Sequence, residues 1–490
     1  MAAESGTTYE AVIGLESHVE LLTKTKLFCG CPSEFGSEPN TNVCPVCLGL
    51  PGSLPVLNER AVELALRLAE ALEFDVPERS VFARKNYFYP DMPKDFQISQ
   101  YEAPILADGR LEVDGAVVGI ERAHLEEDTG KTMHVGGGGR IHEASHSLVD
   151  YNRAGVPLME IVSRPDIRSA EQARAYITEL RAVLRAIGLS DVKMEEGSMR
   201  VDANVSLRPT GSTELGTKVE IKNMNSLRSL GRAIEHEIGR QAELLDAGER
   251  IAQETRHWDE SDGRTHGMRS KEGSSDYRYF PEPDLLPVEP TAEQRARAAQ
   301  DVSGTNLPSQ DRAKLVELGI SEQGARTLVG AGLATHTTTA VVNLTGGEAR
   351  DVENLELGPV LAHINETGES PTELRLTGEG TAELVDLVAA GSISRNQAKE
   401  VAAVSLSTGQ RPEQVVEERG LAQVSDESEL STVIDEIIDA NPKEADAYRA
   451  GDEKARKKLQ GFFIGKAMQA TKGQANGKVL QRLLDTRLGG

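Results

Sequence analysis

The chain has 490 residues, 38% hydrophobic and 27% charged, with 78 acidic against 54 basic side chains and a formal charge of −24. That length predicts about three domains with ordinary packed cores, and no apolar run reaches the ~18 residues that a membrane-spanning helix needs. The opening MAAESGTTYE has neither the basic start nor the apolar stretch of a secretion signal, so a cytoplasmic protein is expected.

Lysine is scarce, 18 against 36 arginines, and the acidity is spread along the chain. This is either an ordinary acidic surface or one adapted to a salty interior, and the spread favours the second. The last forty residues run the other way. Residues 451–490 hold nine basic and three acidic side chains, a net +6. A basic end on an acidic body is either a solvated helix face or a seat for a polyanion.

The first element is AVIGLESHVELL, residues 11–22. Its alternation predicts a strand with Ala11, Ile13, Leu15, Val19 and Leu21 on an oily face and Glu16, His18 and Glu20 on the other. All four cysteines follow: Cys29, Cys31, Cys44 and Cys47, spaced C-x-C-x12-C-x-x-C. Two close pairs around a loop suit a tetrahedral Zn²⁺, and a shell filled by four thiolates would be structural. A redox or disulfide role is the alternative.

NERAVELALRLAEALEF (58–74) predicts an amphipathic helix, and 81–104 an ordered loop with short strands. A hairpin turn is expected at Asp108-Gly109. Residues 116–131 read as a strand entering an acidic turn, and MHVGGGGRIH as a hairpin tip. Its glycine run lacks the Lys-Ser/Thr of a P-loop, and no G-x-G-x-x-G occurs. GVPLMEIVSRPD (155–166) is an apolar strand interrupted by Glu160. A helix capped by Ser169 and ended by Gly188 follows, then an alternating strand at 198–209 with Arg200, Asp202, Asn204 and Ser206 outward. TKVEIKNMN is another strand, and the next helix closes at Gly248. Residues 256–288 read as a polar excursion with a proline-rich exit. Beyond them strand signals vanish, and 405–420 looks like a hinge between helical regions.

Glu16, His18, Glu126, Glu127 and Glu160 all lie on strands. Carboxylates converge across a sheet only if something positive holds them, and Mg²⁺ is the simplest such group. Without convergence they are ordinary outward-facing acids.

VIGLESHVEL, RKNYFYPDMPKDFQISQY, HLEEDTGK, VDYNRAGVPLMEIVSRPD, VKMEEGSMRVDANVSLRP and DYRYFPEPDLLPV together resemble the B-subunit family of aspartyl/glutamyl-tRNA amidotransferases. The likeness covers about the first 290 residues. The helical remainder, with GKAMQATKGQANGKVLQRLL, resembles the family's helical domain and YqeY-like tail. No aspartyl-tRNA-synthetase-like insertion is present, so the GatB branch is the nearer one.

The resemblance implies an α+β cradle at 1–290 with a mixed or antiparallel sheet and a zinc knuckle, a helical domain at 291–410, and an all-helical tail at 411–490. It implies ATP-dependent phosphorylation of the side-chain carboxylate of Asp-tRNA(Asn), Glu-tRNA(Gln) or both. Ammonia from a glutaminase A subunit then completes amidation, and a small C subunit completes a heterotrimer. Carried over residue by residue, Glu16, His18, Glu127 and Glu160 are catalytic, and with Glu126 they hold Mg²⁺. Lys85, Tyr87, Lys94, Ser198, Arg200, Asp202 and Asn204 line the ATP pocket. Cys29, Cys31, Cys44 and Cys47 hold structural zinc. Lys454, Arg456, Lys457, Lys458, Lys466 and Lys472 face tRNA. No amidase Ser-Ser-Lys signature is visible. The rival reading is a non-catalytic tRNA-binding scaffold with a structural zinc.

Overall fold

In a computed structural model of the chain, residues 8–136, 144–268, 277–421, 427–450, 453–471, 475 and 477–488 are described. They divide into two compact units, Met1–Pro308 and Ser309–Gly490.

The strands of the first unit are β1 (Tyr9–Glu20), β2 (Ala83–Asn86), β3 (Phe96–Ser99), β4 (Leu106–Val113), β5 (Ala116–Glu127), β6 (Lys131–Val135), β7 (His146–Asp150), β8 (Pro157–Ser163), β9 (Met199–Pro209), β10 (Val219–Met224), β11 (Thr255–Asp259), β12 (Arg264–Gly267) and β13 (Phe280–Pro281). Its helices are α1 (Glu59–Ala71), α2 (Ala170–Ala186), α3 (Leu227–Asp246) and α4 (Ala292–Ser303). One sheet runs β12-β11-β10-β9-β1-β8-β5-β4, antiparallel except between β10 and β11. Smaller sheets are β13-β2-β3 and β6-β7.

β1 has neighbours on both sides, so its alternation decides what each sheet face does. Ile13, Leu15 and Val19 join Met159, Ile161, Val201 and Ala203 in a core closed by helical residues such as Leu64, Ile177 and Ile234. The helices start where the sequence supplies oxygen acceptors: Asn58, Ser169 and Ser226 each accept a backbone N–H of the first turn. Gly188 and Gly248 follow the ends of α2 and α3 with positive φ.

The expected hairpin at Asp108-Gly109 is not a turn. Both residues lie inside β4. The register with β5 skips Asp108, and Gly109 is required because a Cβ there would meet the Phe74 ring at 2.6 Å. The turn is the next Asp-Gly pair, Asp114-Gly115, with φ of 52° and 77°. The glycine-rich tip at 137–143 lies outside the described residues, although its flanks β6 and β7 pair. The stretch at 256–288 contains the hairpin β11–β12, seated by the buried Trp258. Helix α4 belongs to the first core through Ala298 and Val302, and Arg67 meets Asp301 at 2.6 Å. This unit therefore runs past the limit expected at 290.

The second unit is helical from α5 (Pro308–Glu317) to α16 (Gly477–Leu488). One core gathers residues from Leu315 to Val416, another those from Leu430 to Leu488. The expected hinge at 405–420 and boundary at 410 fall inside the first of these. Gly409 (φ 77°) ends α11 (Arg395–Thr408), and α12 (Pro412–Glu418) packs Val415 and Val416 into that same core.

One buried pair in this unit has a pH consequence. His336, in α7 (Ala334–Val342), points Nδ1 at Glu356 Oε1 and Nε2 at the Leu376 carbonyl, both at 2.9 Å. Glu356 opens a π-turn, Glu356–Val360, that contains Pro359. Two acceptors demand two ring donors, hence the imidazolium. Burial opposes that charge, but the bond and charge of Glu356 overcome it and raise the His336 pKa. The pair's stabilisation is therefore fully present below the unfolded pKa of about 6.5 and is lost as pH rises through the raised folded value. Unfolding followed from pH 6 to 9 should show a stability loss in wild type that is absent from His336→Gln.

Candidate functional site

The face of the sheet opposite the helices carries the acids. β1 pairs with β8 so that His18 faces Glu160, and with β9 so that His18 faces Arg200 and Glu16 faces Asp202. β8 in turn sets Glu160 opposite His124 of β5. Directly opposed residues share a face, so side chains far apart in sequence meet in one row. His18 Nε2 lies 3.4 Å from Glu160, 3.6 Å from Glu16 and 3.7 Å from Glu126. His124 Nε2 is 3.4 Å from the same Glu160 oxygen. Potential ligand atoms of Glu16, His18 and Asp202, and of His18, Glu126 and Glu160, each fall within 4.8 Å of one another.

This is an excess of negative charge around one ring. Burial alone would discharge His18, yet Glu160, Glu126 and Glu16 hold its pKa up at about 9. Burial likewise opposes the Glu160 carboxylate, but His124 and His18 keep its pKa well below the usual range. Glu16 goes the other way, raised by burial and by the Glu160 charge. Glu20, next along that face, is pushed up to about 7 by burial and then by Asp128. Such a donor set fits a hard divalent cation, which takes carboxylate oxygens and neutralises their repulsion.

Glu127 is not brought to this row. Adjacent strand residues point opposite ways, and Glu127 turns to Lys94 Nζ and to the Ile98 N–H at 2.8 Å. Lys94 is correspondingly buried in that pair. Among the other expected pocket residues, Arg200 bonds Asp128 at 3.0 Å, and Asp202 pairs with Lys222. Asn204 lines a separate cavity of about 280 Å³ with Gly14, Glu121 and Lys218. Ser198 does not project from the strand. Its hydroxyl bonds Asp191 and accepts the Lys193 N–H, closing the preceding turn. Lys85 Nζ lies 4.9 Å from the Tyr277 ring centre, and Tyr87 packs edge-on against the same ring at 6.3 Å.

In the loop that follows β1, Cys29, Cys31, Cys44 and Cys47 bring their sulfurs within 4.8 Å of one another. Cys44 and Cys47 Sγ are 3.9 Å apart, close to the ~3.8 Å edge of a tetrahedron with Zn–S bonds of about 2.3 Å. The Cys29 hydrogen bond, the Cys44 N–H and the Lys26 charge hold the Cys47 thiol down at about 4 against burial. The set fits zinc.

Comparison with known proteins agrees with this architecture. The profile of the GatB/GatE catalytic domain matches residues 11–296, and that of the GatB domain matches 338–488. The B subunit of the aspartyl/glutamyl-tRNA(Asn/Gln) amidotransferase of Nocardia farcinica is 50% identical over 487 residues, covering 97% of this chain and 95% of its own. That of Crocosphaera subtropica is 47% identical over 495 residues, 99% of this chain and 98% of its own. The chain belongs to the GatB/GatE family.

In this GatB-like chain the GatB-domain match ends on α15 (Glu453–Ala470) and α16. Arg456, Lys457, Lys458 and Lys466 are exposed on α15. Lys472 and the Lys454 side chain lie outside the described residues. The sequence reading of the GatB-like cradle missed His124, Asp128 and Lys222. His124 could have been found: it stands two residues before Glu126, hence on the same face, in the quoted HLEEDTGK. Lys222 could not, because only the β9–β10 pairing brings it to Asp202.

Proposed function

We propose that this chain phosphorylates the side-chain carboxylate of an aspartyl or glutamyl group carried on tRNA, using ATP, and passes the product to ammonia. The single observation that carries the reading is the convergence of Glu16, Glu126 and Glu160 on His18. A carboxylate resists ammonia because it is anionic and lacks a leaving group. Its oxygen takes the γ-phosphoryl group and ADP departs; ammonia then attacks the acyl carbon and phosphate leaves. Bound Mg²⁺ would supply the charge neutralisation that phosphoryl transfer needs. Glu16, Glu126, Glu160 and Asp202 would hold it. His18, charged among these acids, would give up its proton as the cation enters. Lys94 fixes Glu127, and Arg200 fixes Asp128, at the edge of the row.

The name of the relatives supports a multi-subunit partnership: a glutaminase subunit supplying ammonia, a small third subunit, and the misacylated tRNA. The scaffold alternative needs strand acids that face water independently, and their meeting on His18 argues against it.

The test is phosphate release from ATP by the complex with A and C subunits, Mg²⁺, glutamine and either Asp-tRNA(Asn) or Glu-tRNA(Gln). Release should require misacylated tRNA and fall at least ~100-fold in Glu16→Ala. Equal release by the variant would return Glu16 to an ordinary surface acid. Charge reversal at Lys454, Lys457 and Lys458 should weaken tRNA binding and flatten its salt dependence, leaving ATP affinity intact. Filter binding at low salt checks this, and an unchanged affinity there refutes a tRNA-facing tail.

A further inference from the structure

Beside the acid row, on the small sheet β13-β2-β3, lies a cavity of about 560 Å³. Its walls include Val81, Ala83, Tyr101, Arg278, Tyr279 and Phe280. The Tyr101 and Tyr279 rings are nearly parallel, 13° apart with centroids at 4.4 Å. Tyr277 packs edge-on to Tyr279 at 6.3 Å and also meets Tyr87. A continuous aromatic row thus runs from Tyr101 to Tyr87, with Lys85 over Tyr277.

These rings are not core. Tyr101 and Phe280 are each 44% exposed, a costly way to leave aromatic surface unless something flat covers it. The row also adjoins the acids. Ser99, two residues before Tyr101, donates to Glu126 at 3.2 Å. The Tyr279 hydroxyl is pushed up by burial and then by the charges of Glu126 and Glu160. A ligand that stacks here therefore has its polar continuation within reach of the proposed phosphoryl-transfer site.

A flat π-system with a hydrogen-bonding edge, joined to an anionic chain, is a nucleotide. We infer that the Tyr101–Tyr279 wall seats an adenine ring. The choice of adenine rests on the phosphorylation reading, which offers two sources: ATP itself and the 3′-terminal adenosine of the tRNA.

Calorimetric titration of the purified complex needs no turnover. The probes are MgATP, magnesium tripolyphosphate (the phosphates without the base), and tRNA with and without its terminal adenosine. If ATP supplies the ring, Tyr279→Ala weakens ATP about 5- to 100-fold and leaves tripolyphosphate unchanged. If tRNA supplies it, ATP is unaffected and the variant loses the advantage of intact over trimmed tRNA. Tyr279→Phe keeps the platform and must bind as wild type, and Tyr101→Ala repeats the test at the exposed partner. Unchanged ATP and tRNA affinities overturn the inference. So does a parallel fall in tripolyphosphate binding, which would make the row a structural strut. A wild-type complex that binds ATP through these rings yet releases no phosphate would sink the phosphorylation reading and leave this one standing.

Discussion

Glu160→Gln should cost this protein both activity and stability, whereas Glu16→Gln should cost activity and raise stability. Both residues touch His18, at 3.4 and 3.6 Å, but their charges stand in opposite relation to their surroundings. Glu160 lies between His18 and His124, and those rings favour its charge strongly enough to outweigh burial. Neutralising it strands a buried imidazolium, a loss of about 3 kcal/mol or more. Glu16 carries its charge against burial and against Glu160. Neutralising it relieves repulsion, a gain of order 1 kcal/mol or a few degrees in melting temperature. Thermal unfolding in chelator should rank Glu16→Gln above wild type and Glu160→Gln well below it. Added Mg²⁺ should raise wild type more than either variant, because each variant has lost a ligand. Glu16→Gln melting below wild type in chelator would show that Glu16 is not under this repulsion.

That asymmetry is not legible in the sequence, and the reason is physical. Local period-two alternation announced β1, β9 and the faces of both, and the caps at Asn58, Ser169 and Ser226 are local side-chain chemistry. Which acid meets which ring depends on register between strands over a hundred residues apart, as with His18 and Glu160. Turn chemistry also misleads when two equal signals compete. Asp108-Gly109 and Asp114-Gly115 read alike, and the Phe74 contact decides that the first stays within the strand. The stretch before α4 was opaque for another reason: the buried face of its hairpin is a single tryptophan, Trp258, among polar neighbours. Glu127 is the opposite case, since alternation alone separates it from Glu126. The resemblance grouped the two, and the sheet divides them.

Losing zinc should loosen the cradle from the knuckle outward. Four thiolates leave a tetrahedral Zn²⁺ site with net negative charge, and a buried ammonium stands against it. Lys26 is fully buried, with Nζ 3.7 Å from Cys47 Sγ. It also donates to the carbonyls of Asn42 at 2.7 Å and Tyr151 at 3.2 Å. The Tyr151–Gly155 turn then passes the constraint on. Gly155 N–H donates to the Asp128 carbonyl at 2.9 Å, and Arg153 faces Asp128 at 3.4 Å. Gly155 has φ of 87°, and a Cβ there would lie 3.6 Å from Cys47 and 3.9 Å from Glu127, so knuckle and acid row share one packed seam. Cys44→Ser, or wild type stripped by a strong chelator, should therefore release one zinc and become protease-sensitive between Cys29 and Cys47. Its first unit should melt several degrees lower, since metal binding contributes directly to folding. Lys26→Met should retain the four ligands but bind zinc about 10- to 100-fold more weakly, measured by competition with a chromogenic chelator. If the zinc-free protein resists protease and melts as wild type does, the knuckle does not brace the cradle, and the chain from Cys47 through Lys26 to Asp128 transmits nothing.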